Sequence, residues 1–229
     1  MSQTRMEFAY AKLRDKVCGG EFPPGHRLVN RTLGKELGVS TVTVREAIHR
    51  LASEGLVEHI PNAGAYVREI DRKDMIDLLR LRSKLDCFVV EEVVGKPPHE
   101  LRSLENICRQ WRELILEMRE LPDRRLTGEQ LKRWLELDSR FHAVLVEVAD
   151  NAWLSKMVDD LDLNARAMRT KAPYLAFSEA AQTYRHHASI TRAIMNEDLE
   201  AALFWMRKHG DASLDYLLKH LDDIKPSGR

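Results

Sequence analysis

The chain has 229 residues, 44% of them hydrophobic and 31% charged, the composition of an ordinary soluble protein of one or two domains. Its 36 basic residues are balanced by 36 acidic ones, which excludes a polyelectrolyte that holds nucleic acid by charge alone. No apolar run is long enough to span a bilayer and no signal peptide opens the sequence, so a cytoplasmic location is expected and no membrane partner.

In chain order, Phe8, Tyr10, Leu13 and Val17 suit a first helix, stopped by Gly19-Gly20 and the rigid Phe22-Pro23-Pro24-Gly25. Leu33 and Leu37 then fall one turn apart on a short second helix, which Gly38 breaks and Val39 turns. Ser40 is a good N-cap for a third helix whose stripe is Val44, Ile48 and Leu51, with Arg45 and His49 pointing away and Gly55 ending it. Leu56–Ile60 and Ala65–Arg68 read as two strands around the turn Pro61-Asn62-Ala63-Gly64. The order is helix, helix, helix, hairpin. A short helix pinned by an apolar stripe, with hydroxyls and an arginine near its N-terminal end, has the geometry that enters a DNA major groove. Residues 1–70 carry 10 basic against 8 acidic side chains, so modest non-specific affinity and a need for dimerisation are expected.

From Asp71 onward long amphipathic stretches replace this pattern, following a short linker, Arg68 to Arg72. Breaks at Gly95-Lys96-Pro97-Pro98, Leu121-Pro122-Asp123, Asp150-Asn151, Ala172-Pro173 and Asn196-Glu197-Asp198 divide residues 71–229 into six helices. The expected fold is therefore mainly α: a winged helix-turn-helix over 1–70 and an all-α bundle of about six helices over 71–229. Thr127 with Gln130 reads as a capping box at the start of the third bundle helix, and the tail from Lys225 to Arg229 as frayed. Cys18, Cys87 and Cys108 are far apart and suggest neither a disulfide nor a thiolate metal site.

On that third bundle helix Leu131, Leu135, Asp138, His142, Leu145 and Ala149 share one stripe, placing a carboxylate and an imidazole where periodicity demands core residues. The fifth repeats the anomaly, with His187 on the face of Tyr184, Ile190 and Ile194. The sixth sets His209 beside Met206 and Ala202. An aspartate and three histidines converging in a bundle suit a divalent transition metal, zinc or nickel first, with manganese, iron, cobalt and copper also compatible with the donor set. His26, His49, His59, His99, His186 and His220 read as surface or loop residues. Satisfied core histidines and an internal Asp138–His142 hydrogen bond are the plain alternative to a metal.

Pro24-Gly25-His26-Arg27-Leu28, Leu37-Gly38-Val39-Ser40, Val44-Arg45-Glu46-Ala47-Ile48, Arg50-Leu51, Glu54-Gly55-Leu56-Val57 and Pro61-Asn62-Ala63-Gly64-Ala65-Tyr66-Val67 follow one another in a pattern that resembles the GntR family of bacterial transcription regulators. The resemblance implies operator contacts from Arg31, Arg45 and the wing tip around Asn62 and Gly64, which the hydroxyls of Ser40, Thr41 and Thr43 accompany. Members commonly carry arginine where this chain has Thr41, and often where it has Ala63. A guanine contact and a wing contact are thus expected to be missing, and the operator to differ. Asp138-Ser139-Arg140-Phe141-His142, Ala149-Asp150-Asn151, His187-Ala188-Ser189-Ile190 and Met206-Arg207-Lys208-His209 resemble the metal-binding members of the FadR-type branch, over residues 73–223. That resemblance implies a homodimeric regulator, commonly a repressor. It also implies a ligand-binding (FCD) domain with Asp138, His142, His187 and His209 on the metal and Arg82 on a small carboxylate or sugar-acid effector. Double-stranded DNA with a pseudo-palindromic operator is the expected partner. A zinc-dependent hydrolase using the same four residues is the alternative. No His-Glu-x-x-His pair supplies it with a general base, and the chain reads as a non-enzyme.

Overall fold

A computed structural model describes residues 4–69, 71–169 and 175–220, with no account of the side chains at 160 and 162–169. The chain divides into two compact units, one holding Met1–Met75 with Asp160–Lys171 and the other Ile76–Asp159 with Ala172–His220.

The first unit is built from α1 (Arg5–Cys18), β1 (Arg27–Leu28), α2 (Asn30–Leu37), α3 (Thr41–Ser53), β2 (Val57–Ile60) and β3 (Gly64–Val67). Thr4 opens α1 with a reciprocal cap, accepting from the Glu7 backbone while the Glu7 carboxylate accepts from Thr4. Between α2 and α3 the turn depends on Gly38, whose φ of 66° lies in the left-handed region that costs other residues free energy. The Ser40 hydroxyl then accepts from the Thr43 backbone N–H at 3.1 Å, as the sequence predicts. The sheet has order β1-β3-β2, both pairings antiparallel, with Leu28 and His59 on either side of Ala65. The two-residue β1 is too short for alternation to reveal it, and the sequence reading passes over it.

Leu13, Val44, Ile48 and Leu51 are at most 1% exposed and form the seam between α1 and α3. A part-buried network locks that seam from outside: the Tyr10 hydroxyl donates to Glu54 at 2.9 Å, and the Arg50 guanidinium lies 3.8 Å over the Tyr10 ring. Phe8, one of the apolar residues that suit a first helix, is 37% exposed, because Ala9 takes the inward position beside Leu13. Leu51→Ala is expected to lower the stability of this unit by about 2–5 kcal/mol, through lost burial and the cavity left behind. Urea unfolding followed by circular dichroism measures it; a loss below 1 kcal/mol would contradict the packing described.

The second unit contains α4 (Arg72–Val93, whose first residues belong to the first unit), α5 (Pro98–Arg119), β4 (Arg125–Leu126), α6 (Gly128–Ala149), α7 (Ala152–Arg169, whose residues from 160 on belong to the first unit), β5 (Leu175–Ala176), α8 (Phe177–Met195) and α9 (Leu199–Lys219). Six helices meet the sequence expectation, and Pro98 sits in the first turn of α5, where its missing N–H costs nothing. Two details differ. The unit is not purely helical, because Arg125–Leu126 pairs antiparallel with Leu175–Ala176. The Thr127–Gln130 capping box is not formed: Thr127 is the N-cap, but its side chain makes no cap hydrogen bond, since Gly128 enters α6 at φ 52° and turns the first amides elsewhere. The predicted break at Ala172-Pro173 and the tail beyond His220 lie outside the described residues. Trp111, Phe141, Leu104, Ile107 and Leu145 are at most 1% exposed and mark the centre of this core.

Candidate metal centre and nucleic-acid interface

The stripes of α6, α8 and α9 bring Asp138, His142, His187 and His209 to one buried point, where one ligand atom from each lies within 4.8 Å of the others. The Nε2 atoms of His142 and His209 are 3.2 Å apart, and His187 Nε2 is 3.7 Å from Asp138 Oδ1. Tetrahedral bonds of the length imidazole makes to zinc, about 2.0–2.1 Å, put donors roughly 3.4 Å apart, so these spacings fit a cation without large movement.

The surroundings hold the rings still. His187, with no exposed surface, stacks on Trp111 at 4.2 Å with the planes 7° apart, and Phe141 packs against it at 4.3 Å. Thr191 donates to the His187 backbone carbonyl at 2.9 Å, a turn further along α8. Imidazole nitrogens gathered in an apolar aromatic box are costly without a proton or a cation among them. The donor set is therefore one that could bind a divalent transition metal.

Arg82 and Asp86 on α4 border the cluster. Both are buried, and the Arg82 Nε–H donates to Asp86 Oδ1 at 2.9 Å, so this i, i+4 pair is an interior one and not a helix-surface ion pair. The same Oδ1 lies 3.4 Å from His142 Nδ1. Burial alone would raise the Asp86 pKa, but the hydrogen-bonded Arg82 guanidinium and the nearby His142 ring outweigh it and hold the carboxyl well below the usual range. The sequence reading missed Asp86. A groove of about 480 Å³ between α4 and α9, walled by Leu79, Lys84, Arg207 and Asp211 among others, includes neither Arg82 nor any of the four donors and is a separate surface feature.

Two further histidines correct the sequence reading. His186 is buried beside Trp205, and desolvation, with Arg185 and Lys208 nearby, lowers its pKa. Its ring meets His209 edge-on at 6.3 Å, so it lines the cluster without joining it. His220 is buried at the end of α9, its Nε2 3.7 Å from Glu179. His186 lies at the margin of the buried arc of α8, which a narrow-stripe reading places in solvent, whereas His220 falls in line with Ala202, Met206 and His209 on the buried stripe of α9.

In the first unit Arg45 and His49 stand exposed one turn apart on the outer side of α3, as predicted. Arg31 is exposed in the first turn of α2 and Thr41 at the first position of α3. Thr43 is half-buried and its hydroxyl shares a 2.8 Å hydrogen bond with Ser40, so these two act first as the helix cap. Asn62, at φ 61°, and Gly64 are exposed at the wing tip. The His59 ring lies 4.9 Å from that of His49, joining the wing to the outer face of α3.

Residues 5–67 match the family description "Bacterial regulatory proteins, gntR family", and residues 77–212 match "FCD domain". The "Uncharacterized HTH-type transcriptional regulator YdhC" of Bacillus subtilis (strain 168) is 25% identical over 224 residues, covering 96% of this chain and 92% of that protein. The "HTH-type transcriptional repressor RspR" of Escherichia coli (strain K12) is 25% identical over 220 residues, 96% of this chain and 87% of that protein. Among solved structures "E. coli McbR/YncC" superposes with a TM-score of 0.78 at 18% identity, covering 96% of this chain and 100% of that one, which shows a shared fold. These names are of regulators, and the hydrolase alternative finds no support in them. Among the described residues no helix is long and apolar enough to cross a membrane. The chain belongs to the gntR family of bacterial regulatory proteins, as a transcriptional regulator with an FCD domain.

Proposed function

We propose that the protein is a cytoplasmic, homodimeric, sequence-specific transcriptional repressor. Its operator affinity is set by a small carboxylate or sugar acid held at Arg82, beside a divalent transition metal, zinc or nickel first, on Asp138, His142, His187 and His209. Residues 1–70 read DNA, and residues 71–229 bind metal and effector and dimerise. The observation that carries this reading is the burial of one carboxylate and three imidazoles around a single point, bordered through Asp86 by the buried Arg82, in a chain that also bears a winged helix. The name of the Escherichia coli relative supports the repressor sense.

On DNA, Arg45 reaches base edges from the outer side of α3, with Thr41 beside it. Ser40 and Thr43 hold the helix start, and Arg31, Asn62 and Gly64 meet the backbone and the neighbouring groove. In the second unit Asp86 takes the Arg82 Nε–H and fixes the plane of the guanidinium, which favours two parallel bonds to a carboxylate. A bound cation supplies Lewis acidity for a second oxygen of the acid. Effector binding shifts the placement of the two reading helices in the dimer. The coupling is of order 1–3 kcal/mol, and DNA must weaken effector binding by the same factor.

The test is anisotropy of an operator duplex with the zinc-loaded full chain, titrated with a panel of small carboxylates. At least one acid is expected to weaken operator binding several-fold, and none doing so would reject effector control. Arg82→Lys keeps a charge opposite Asp86 but removes the fork. It is expected to need at least about tenfold more of the active acid at unchanged operator affinity. An unchanged response would move the acid to another site.

A further inference from the structure

On α4 the positions Met75, Leu79, Arg82, Asp86, Val90 and Val93 recur at helical spacing, and all six are buried. Two opposite charges thus occupy the core stripe of this helix. Asp86 Oδ1 faces two groups from two elements: Arg82 Nε at 2.9 Å on α4 and His142 Nδ1 at 3.4 Å on α6. The other nitrogen of His142, Nε2, is the one that faces His209. A neutral imidazole carries one proton, so an acceptor at Nδ1 leaves the lone pair on Nε2.

We propose that Asp86 is a positioning residue for the metal seat. Its carboxylate keeps the proton of His142 on Nδ1, directs the Nε2 lone pair at the ion, and through the same oxygen holds Arg82. The inference rests on reading Asp138, His142, His187 and His209 as that seat. At 3.4 Å the contact is a close charge contact and not a formed hydrogen bond, and His142 Nδ1 has no other partner among the described residues. An imidazole that shares its Nε2 lone pair with a cation becomes a stronger donor at Nδ1, which favours the contact. One carboxylate then serves both the arginine and the metal ligand, so disturbing either partner is felt at the other. The i, i+4 spacing of Arg82 and Asp86 is what permits this, since it puts both on the face of α4 turned to His142.

The experiment titrates Zn²⁺ alone into metal-stripped full-length protein against a chromophoric chelator, for the wild type, Asp86→Asn, and the double variant Arg82→Met with Asp86→Leu. The single change disturbs a buried ion pair and can fail to fold. The double change replaces the pair by apolar side chains of similar size, which interiors tolerate. Every folded variant is expected to bind Zn²⁺ about 10–100-fold more weakly than the wild type. A second readout is the long-range ¹H–¹⁵N spectrum of the histidines. His142 is expected to be Nδ1-protonated in the wild type and to lose that preference in the double variant, a change that a merely structural role would not produce. Wild-type Zn²⁺ affinity in the double variant, or an Nε2-protonated His142 in the wild type, would overturn the role of Asp86. A wild type that binds no Zn²⁺ would instead overturn the metal seat itself, and this inference with it.

Discussion

Replacing His187 with alanine is expected to abolish tight zinc binding and to cost the protein much of its thermal stability, by two separable routes. The ring is fully buried between Trp111 and Phe141, so its removal leaves a hole in an aromatic layer. By analogy with large-to-small core changes, about 3 kcal/mol is lost even without metal. The second route is linkage. An ion that binds only the folded chain stabilises it by about 2.7 kcal/mol at a hundred times its dissociation constant, and the variant forfeits that gain. At roughly 2–4 °C per kcal/mol for a protein of this size, the zinc-loaded difference amounts to about 10–20 °C. Thermal melts with zinc and with a chelator separate the routes: the chelator should lower the midpoint of the wild type and leave that of the variant unmoved. A variant that keeps one zinc per chain by elemental analysis would remove His187 from the seat.

Arg45→Ala is expected to erase discrimination between operator and random DNA while leaving the fold and the zinc content intact. The side chain is exposed and makes none of the contacts that hold α1, α2 and α3 together, so its loss should change stability by no more than about 0.5 kcal/mol. A bidentate arginine contact to guanine is worth about 1–3 kcal/mol of discrimination. A dimer makes it twice, giving a specificity loss of roughly 30-fold to 10⁴-fold. Random-sequence affinity should fall far less, because residues 1–70, with 10 basic and 8 acidic side chains, already bind weakly by charge. Anisotropy with paired operator and scrambled duplexes reads both quantities at one salt concentration. Unchanged discrimination would place base reading on other residues.

The sites were legible where a polar residue interrupts an apolar period. Asp138, His142, His187 and His209 stand on stripes that are otherwise apolar or aromatic, and the structure buries all four. The same rule applied to α4 would have found Arg82 and Asp86 between Leu79 and Val90. Opposite charges four residues apart are so common on solvated helix faces that the pair reads as an ordinary surface bridge. His186 escaped for another reason: beside His187 it lies off the narrow stripe, yet the buried arc of α8 widens to take in Ala193 and His186 at one margin and Thr191 at the other, nearly half its circumference. In the first unit Ser40 and Gly38 were plain because capping and left-handed turns have narrow residue preferences. Thr127 shows the limit of such signatures, since one positive φ at Gly128 redirects the amides the threonine was to cap.

The most direct measurement is recovery of chromosomal fragments by the zinc-loaded full chain at physiological salt, with the bound sequences read out and compared with those retained by Arg45→Ala. The account predicts a small set of fragments sharing a short inverted repeat, bound by the wild type and lost in the variant. Fragments with no common sequence, or the same set retained by both proteins, would contradict it.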